Sequence, residues 1–361
     1  MSNSSIEMDE CLPDKNLSVL AFLAFKLPAV ASTNRLMRAE KFVSDSAPNI
    51  NTLDDMADLS VPPKHIVGAI QKLAKTSAVK SILCPHEPGS GGRRYHPKLA
   101  AYWARITSIR DTQSKWQRAL DNIRSRITRN PTSSLLNDVY GTLSWLPWTG
   151  DLLRNTYNNS IERSELSAFL TTEWLSDDHE LLMLDLVKDD LAQAGQEHTL
   201  VENTAFTLLL AAAYHDRQNY STSKHYAWLR QKADLLSSGA KTILATISNK
   251  DNSHCVSIVV NSQTRQVLFA DPLGNPVPQA LRRNLDWWIS YHNDGDIFNY
   301  TSLPISLQVD SYSCGVLAWD AVRCFLLEGF TLVEAHAALD ERLRIYLRLV
   351  SVERVRELLS N

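Results

Sequence analysis

The sequence predicts an α+β protein whose amino-terminal part is mostly helical, and three observations carry that reading. Apolar residues up to about position 130 recur at helical spacing. Three short runs rich in Ile, Val and Phe between 242 and 271 are separated by polar turns, as antiparallel strands are. The last third returns to helical spacing, which completes the α+β layout. At about 100–200 residues per domain, 361 residues predict two domains. The expected boundary is Arg129-Asn130-Pro131-Thr132-Ser133-Ser134, where proline ends one helix and a hydroxyl residue caps the next. This gives a basic, helical extension over 1–133 and a second domain over 134–361.

Taken in order, Pro62 to Val79 places Ile66, Ile70, Leu73 and Ala74 on one helical face, and the Gly/Pro-rich turn at 88–94 leads to a second helix from Pro97 to about Ile127. Leu135 to Leu170 and Trp174 to Ala194 also read as helical. Strands are expected at Thr242–Ser248, Cys255–Asn261 and Gln266–Asp271, parted by the turns at 249–252 and 261–264. A helix follows from Pro278 to about Tyr291, and Phe298–Leu307 reads as a further strand. Helices over Cys314–Leu327, Leu332–Leu347 and Val352–Leu359 close the chain.

With 44% hydrophobic, 21% charged and 8% aromatic residues the composition is that of a globular protein, which disfavours disorder, a collagen-like repeat or a membrane bundle. The apolar stretch Leu17–Ala31 is broken by Lys26 and Pro28 and preceded by acidic residues, so it reads neither as a membrane span nor as a secretion signal. The cysteines Cys11, Cys84, Cys255, Cys314 and Cys324 are odd in number and form no CxxC pair, which disfavours a disulfide framework and a four-thiolate zinc site. A reducing, intracellular compartment, nuclear or cytoplasmic, is the expectation.

The chemistry concentrates in the second half. His254 opens a strand whose alternate residues Val256, Ile258 and Val260 are apolar, and Asp271 closes the next strand on the face of Val267 and Phe269. An antiparallel pair returns the chain to the same edge, so the two become neighbours and the aspartate can orient the imidazole. Cys314 precedes Gly315 and a helical apolar face of Leu317, Ala318, Ala321, Val322 and Phe325. A cysteine in a helix's first turn meets the positive end of the macrodipole, which favours thiolate and primes a nucleophile. Gln308, six residues earlier, offers an amide donor for an oxyanion. Singly, each has a plainer reading: a structural histidine, a turn at Asp271-Pro272-Leu273-Gly274, an uninformative glutamine. Cys324 reads as core.

The ordered set resembles the ubiquitin-like-protein-specific cysteine proteases, the family of the SUMO proteases and, more distantly, the adenovirus protease. The likeness covers roughly Leu136 to the end of the chain. His254 and Asp271 are similar to the family's catalytic pair, Gln308 with Ser313-Cys314-Gly315 to its Gln-x5-Cys-Gly signature, and Glu173-Trp174-Leu175-Ser176-Asp177 to the Trp-Leu-Asn-Asp segment that opens its catalytic domain. What the resemblance implies is a papain-like fold, a central, mostly antiparallel sheet flanked by helices, that cleaves after the Gly-Gly tail of SUMO or another ubiquitin-like modifier, in maturation or deconjugation. Cys314 would attack, His254 would move the proton, Asp271 would orient His254, and Gln308 would hold the oxyanion. Trp174 would cover the Gly-Gly tail and Asp177 would contact the modifier. Two positions depart from the pattern: Cys255 stands where the family usually has a Trp that forms the tunnel's other wall, and Ser176 replaces an Asn. Both imply a wider or looser channel. The alternative is a catalytically weak, protease-like protein that binds a ubiquitin-like partner or nucleic acid.

The extension is basic: Ser60–Asn130 holds 14 Lys or Arg against 3 acids, whereas the residues after 133 hold 18 against 28. With Tyr95, Trp103 and Trp116 interleaved, it offers phosphate neutralisation and base stacking to a nucleic acid; the plainer reading is a solvated face that meets an acidic protein or the acidic half. Cys84, His86 and His96 lack a clear fourth metal ligand, so no metal and no cofactor is expected. Leu143–Trp148 reads as packing the linker helix onto the second domain.

Overall fold

A computed structural model describes residues 11–31, 38–50, 54–75, 79–87, 91–152, 161–250 and 254–360. The expected turns at 88–94 and 249–252 therefore lie partly outside the described residues. Two compact units result, Met1–Asp121 with Leu143–Gly150, and Asn122–Thr142 with Asp151–Asn361. Among the described residues no helix is long and apolar enough to cross a membrane.

The first unit contains α1 (Val19–Ala24), β1 (Val43–Ser44), α2 (Asp54–Ala57), α3 (Lys64–Ala74), β2 (Ser81–Ile82) and the part of α4 (Lys98–Arg129) that precedes Asn122. α3 begins after Pro63, whose fixed φ suits a helix start, and buries Ile66, Val67 and Ile70. β1 and β2 pair antiparallel, Val43 opposite Ile82. Phe42, Tyr95, Leu99, Trp103 and Ile106 form the core. Tyr95, Trp103 and Trp116 are all fully buried, which corrects the expectation that they are available to stack on bases. The Trp116 indole N–H donates to the Trp148 carbonyl at 2.9 Å, and Trp148 lies flat on Phe22 with ring centroids 4.0 Å apart. The Leu143–Trp148 stretch thus belongs to this unit. Part of the basic surplus is internally engaged: the Arg110 guanidinium donates to the Pro28 carbonyl and Lys64 pairs with Asp111. Cys84 is buried and its thiol is pushed up by burial; His86 Nε2 lies 2.8 Å from the Ser60 carbonyl.

The second unit starts with the end of α4 and α5 (Ser134–Leu143), which Ser133 caps by accepting from the Leu136 N–H. The helix expected to run to Leu170 stops at Leu143; Pro147 and Gly150, the latter at φ 122°, divert the chain, and Arg163–Leu170 forms a 3-10 turn. Next come α6 (Asp177–Gln193), β3 (Thr199–Glu202), α7 (Ala205–His215), α8 (Ala227–Ser237), β4 (Ile243–Lys250), β5 (His254–Asn261), β6 (Gln266–Ala270), α9 (Gln279–His292), β7 (Asn299–Ser302), α10 (Cys314–Leu326) and α11 (Ala338–Ser360). β7 is shorter than the expected Phe298–Leu307 run, which Pro304 interrupts. The two closing helices form one, α11.

One five-stranded sheet organises the unit, in the order β3-β4-β5-β6-β7. The central three strands are antiparallel; both edge strands are parallel to their neighbours, because α7 with α8, and α9, carry the chain across between them. One face of β5, Val256, Ile258 and Val260, packs on Phe206, Leu210 and Trp288 from α7 and α9. The other meets α10: Ser257 Oγ donates to the Ala318 carbonyl at 2.7 Å. Burial on both faces is what a strand at the centre of a layered α/β/α unit requires.

Candidate active site

Register alone brings the first two residues together. β5 and β6 pair with Ser257 opposite Ala270, so His254 at the start of one strand and Asp271 just past the end of the other meet at a single edge of the sheet. His254 Nε2 donates to Asp271 Oδ1 at 2.6 Å. The carboxylate is held in turn: the Leu273 N–H donates to Oδ1 at 2.7 Å and the Asn275 amide to Oδ2 at 3.0 Å. Asp271 is buried, so its charge acts through a poorly screened bond and fixes the tautomer, leaving Nδ1 for a partner.

That partner is Cys314, the first residue of α10. The preceding turn is built on Asp310, whose Oδ1 accepts from the Tyr312 and Ser313 N–H groups, both at 2.9 Å, and whose Oδ2 accepts from Ser313 Oγ at 2.6 Å. This Asx-type turn delivers the cysteine to the helix N-terminus in a fixed orientation. The Cys314 thiol is lowered to about 5: the Cys255 thiol hydrogen-bonds it most strongly, and the Cys255 N–H, the His254 side chain and the His254 charge add to the effect against the opposing cost of burial. Cys314 is therefore a thiolate at neutral pH. Alkylation by iodoacetamide is expected to titrate with a midpoint near pH 5, flat above it and falling below; a midpoint near the ordinary thiol value of 9 would remove the thiolate from this site.

Two further residues lie against Cys314: Cys255, which the sequence singled out, and Glu180, which it did not. Cys255 is 3% exposed, and its thiol points to Glu180 Oε1 at 3.6 Å as well as to Cys314. It is buried against Cys314. Glu180 on α6 is fully buried and its carboxyl is raised to about 8, first by burial and then by the Cys314 charge. It packs so closely under α10 that a Cβ at Gly315 would run into its Oε1. No periodicity marks Glu180, which sits among the apolar residues of a helix buried from His179 to Val187.

The remaining residues are placed differently from one another. Trp174 is 58% exposed, with its indole N–H donating to the Ser311 carbonyl at 2.6 Å, so the ring stands beside the loop that precedes Cys314. Asp177, the first residue of α6, accepts from the Asn249 amide at 2.8 Å. Ser176 caps that helix with His179: the Ser176 N–H donates to His179 Nδ1 at 2.9 Å, and Nε2 then donates to the Glu165 carbonyl. The Gln308 amide donates to the Asp310 carbonyl at 2.8 Å, while its Oε1 has no partner among the described residues. Among the described residues no group of three or more His, Cys, Asp or Glu is arranged to hold a metal.

Residues 173–335 match the Ulp1 protease family, C-terminal catalytic domain. No curated protein matches the chain. Among solved structures, the SUMO protease Ulp1 with its catalytic cysteine oxidised to a sulfonic acid is 14% identical, with a TM-score of 0.47 over 60% of this chain and 92% of that one. The yeast Ulp1 protease domain in complex with Smt3 is 16% identical, TM-score 0.43, over 56% and 88%. The Xanthomonas campestris effector XopD bound to ubiquitin is 22% identical, TM-score 0.33, over 50% and 92%. The matched segment runs from Glu173 past His254, Asp271 and Cys314, and over these residues the chain is similar to the catalytic domain of the Ulp1 protease family.

Proposed function

We propose that this domain hydrolyses the peptide or isopeptide bond after the glycine tail of SUMO or another ubiquitin-like modifier, with Cys314, His254 and Asp271 as its catalytic residues. The observation that carries the reading is the Cys314 thiolate within hydrogen-bond reach of an imidazole whose other nitrogen is fixed by a buried carboxylate. In this scheme Cys314 attacks the scissile carbonyl, His254 gives its proton to the leaving amine, and water guided by His254 then cleaves the thioester. The exposed Trp174 ring lies along the approach and suits a tail without side chains, because only glycine lets backbone pass flat beneath an aromatic face.

The Cys314 backbone N–H, free at the helix N-terminus, supplies one oxyanion donor, and Gln308 supplies the other once its amide leaves the Asp310 carbonyl. Gln308→Ala is expected to lower kcat on the order of 10²–10³-fold with KM little changed. Full activity in that variant would strip Gln308 of the role. The function itself is tested with precursors of several ubiquitin-like modifiers that continue beyond the Gly-Gly tail. Cleavage after the second glycine, lost when that glycine is replaced by valine, is the expected result. Indifference to the valine, or cleavage elsewhere, would overturn the substrate reading.

A further inference from the structure

Three groups that the peptidase reaction does not itself consume lie together beneath the nucleophile: the Cys255 thiol, the Glu180 carboxyl and the backbone of Gly315. Cys255 touches Cys314 twice, through its thiol and through its N–H. It also touches Glu180 Oε1 at 3.6 Å, and the second Glu180 oxygen, Oε2, is buried with no hydrogen-bond partner among the described residues. A single S–H proton cannot serve Cys314 and Glu180 at once, and the Glu180 carboxyl, raised to about 8, holds a proton of its own at neutral pH. Leaving a fully buried carboxyl half-satisfied costs free energy that apolar packing would avoid. Such a carboxyl beside a pair of thiols is placed to exchange a proton with them.

We propose that Cys255 and Cys314 close into a reversible disulfide when a hydroperoxide oxidises the nucleophile, with Glu180 carrying the proton that closure releases. In the first step the Cys314 thiolate attacks one oxygen of the hydroperoxide; an S–O bond forms, the O–O bond breaks, and the departing alkoxide takes a proton from water. Cys314 is then a sulfenic acid and the peroxide has been reduced by two electrons. In the second step the Cys255 sulfur attacks the Cys314 sulfur. The S–S bond forms, the S–O bond breaks, the Glu180 carboxyl gives its proton to the leaving hydroxide, which departs as water, and the Cys255 proton takes its place on Glu180. A low-molecular dithiol reverses the sequence.

The charges around Glu180 time the second step. Repulsion from the Cys314 thiolate is one of the causes that keep the carboxyl protonated, after burial; Asp177 adds to it and Arg342 on α11 opposes it. Converting the thiolate to a neutral sulfenic acid removes that repulsion, so the carboxyl becomes a better acid, ready to protonate the leaving hydroxide, only after Cys314 has been oxidised. Two sulfurs in hydrogen-bond contact need approach by roughly 2 Å to bond, a movement that side-chain rotation at a helix N-terminus and a strand end can supply. The inference takes Cys314 as the thiolate proposed above, but it does not depend on which substrate the domain cleaves.

The test is made on the full chain, reduced, treated with hydrogen peroxide, blocked with N-ethylmaleimide and digested without reductant for mass mapping. The expected product is a peptide pair linked through Cys255 and Cys314. Dithiothreitol is expected to restore iodoacetamide-reactive Cys314 at least about tenfold more fully in the parent chain than in Cys255→Ala, where Cys314 instead gains two or three oxygens. Glu180→Gln is expected to slow linkage while leaving the first oxidation of Cys314 unchanged. Sulfinic acid at Cys314 in the parent chain with no linked pair overturns the proposal, as does equal recovery in Cys255→Ala. Were Cys255→Ala to lose its fold by circular dichroism, the map of the parent chain decides alone. Because the readout is mass, failure here and failure of the peptidase reading are separately visible.

Discussion

Cys314→Ala is expected to abolish turnover, and His254→Ala to do the same, each lowering kcat on the order of 10⁴-fold or more, because in the proposed mechanism nucleophile and base act as one unit. Their effects should not add: the double variant should be no worse than either single one. The reason lies in the geometry, since the thiolate owes part of its stability to His254, and in the proposed scheme the same imidazole protonates the leaving amine. Asp271→Asn is a graded companion. It keeps the shape of the side chain but removes the charge that His254 Nε2 meets at 2.6 Å, so it should lower kcat while leaving Cys314 intact and alkylatable. Steady-state kinetics on a cleaved precursor checks all three, and a Cys314→Ala chain that still turns over would dismantle the assignment.

Gly315→Ala carries the second large effect. Most first-turn positions welcome alanine, yet here the added methyl meets Glu180 Oε1, which is fully buried and cannot swing into solvent. Either Glu180 is displaced from Cys255 or α10 moves, carrying Cys314 with it. Overpacking of this kind costs about 1–3 kcal/mol, and displacement of a nucleophile by an ångström costs on the order of 10²-fold in rate. The variant should therefore unfold earlier in a thermal melt and lose most of its activity. Gly315→Ala combined with Glu180→Ala should recover the melting temperature in large part, since the second change removes the atom that clashes. A Gly315→Ala protein as stable and active as the parent would mean that Glu180 and Gly315 are not in contact.

The sequence exposed those parts of the site that physics ties to position along an element. His254 at a strand start and Asp271 at a strand end were legible because antiparallel pairing has one geometry. Cys314 was legible because an apolar face at helical spacing begins just after it. Glu180 was not, because α6 is buried over most of its circumference and a lone acid in an apolar run gives no period to detect. The position of Cys255 was named from the resemblance, as a replacement for a channel-wall Trp that loosens the channel; its contact with Cys314 depends on the packing of β5 against α10, which no pattern in the sequence specifies. β3, α7 and α8 were unread for a similar reason: β3 is a four-residue edge strand, and α7 is apolar along most of its length. Gln308 was found by spacing, but its amide is held by Asp310, a detail set by the loop and not by any pattern.

The account stands most directly on covalent capture at Cys314. The purified chain, and Cys314→Ser beside it, are incubated with a panel of ubiquitin-like proteins whose C-terminal glycine carries an electrophile, and intact masses are read. The account predicts an adduct of one modifier on one protein, mapped to Cys314 and absent from Cys314→Ser. No adduct with any member of the panel, or an adduct that persists in Cys314→Ser, would contradict it.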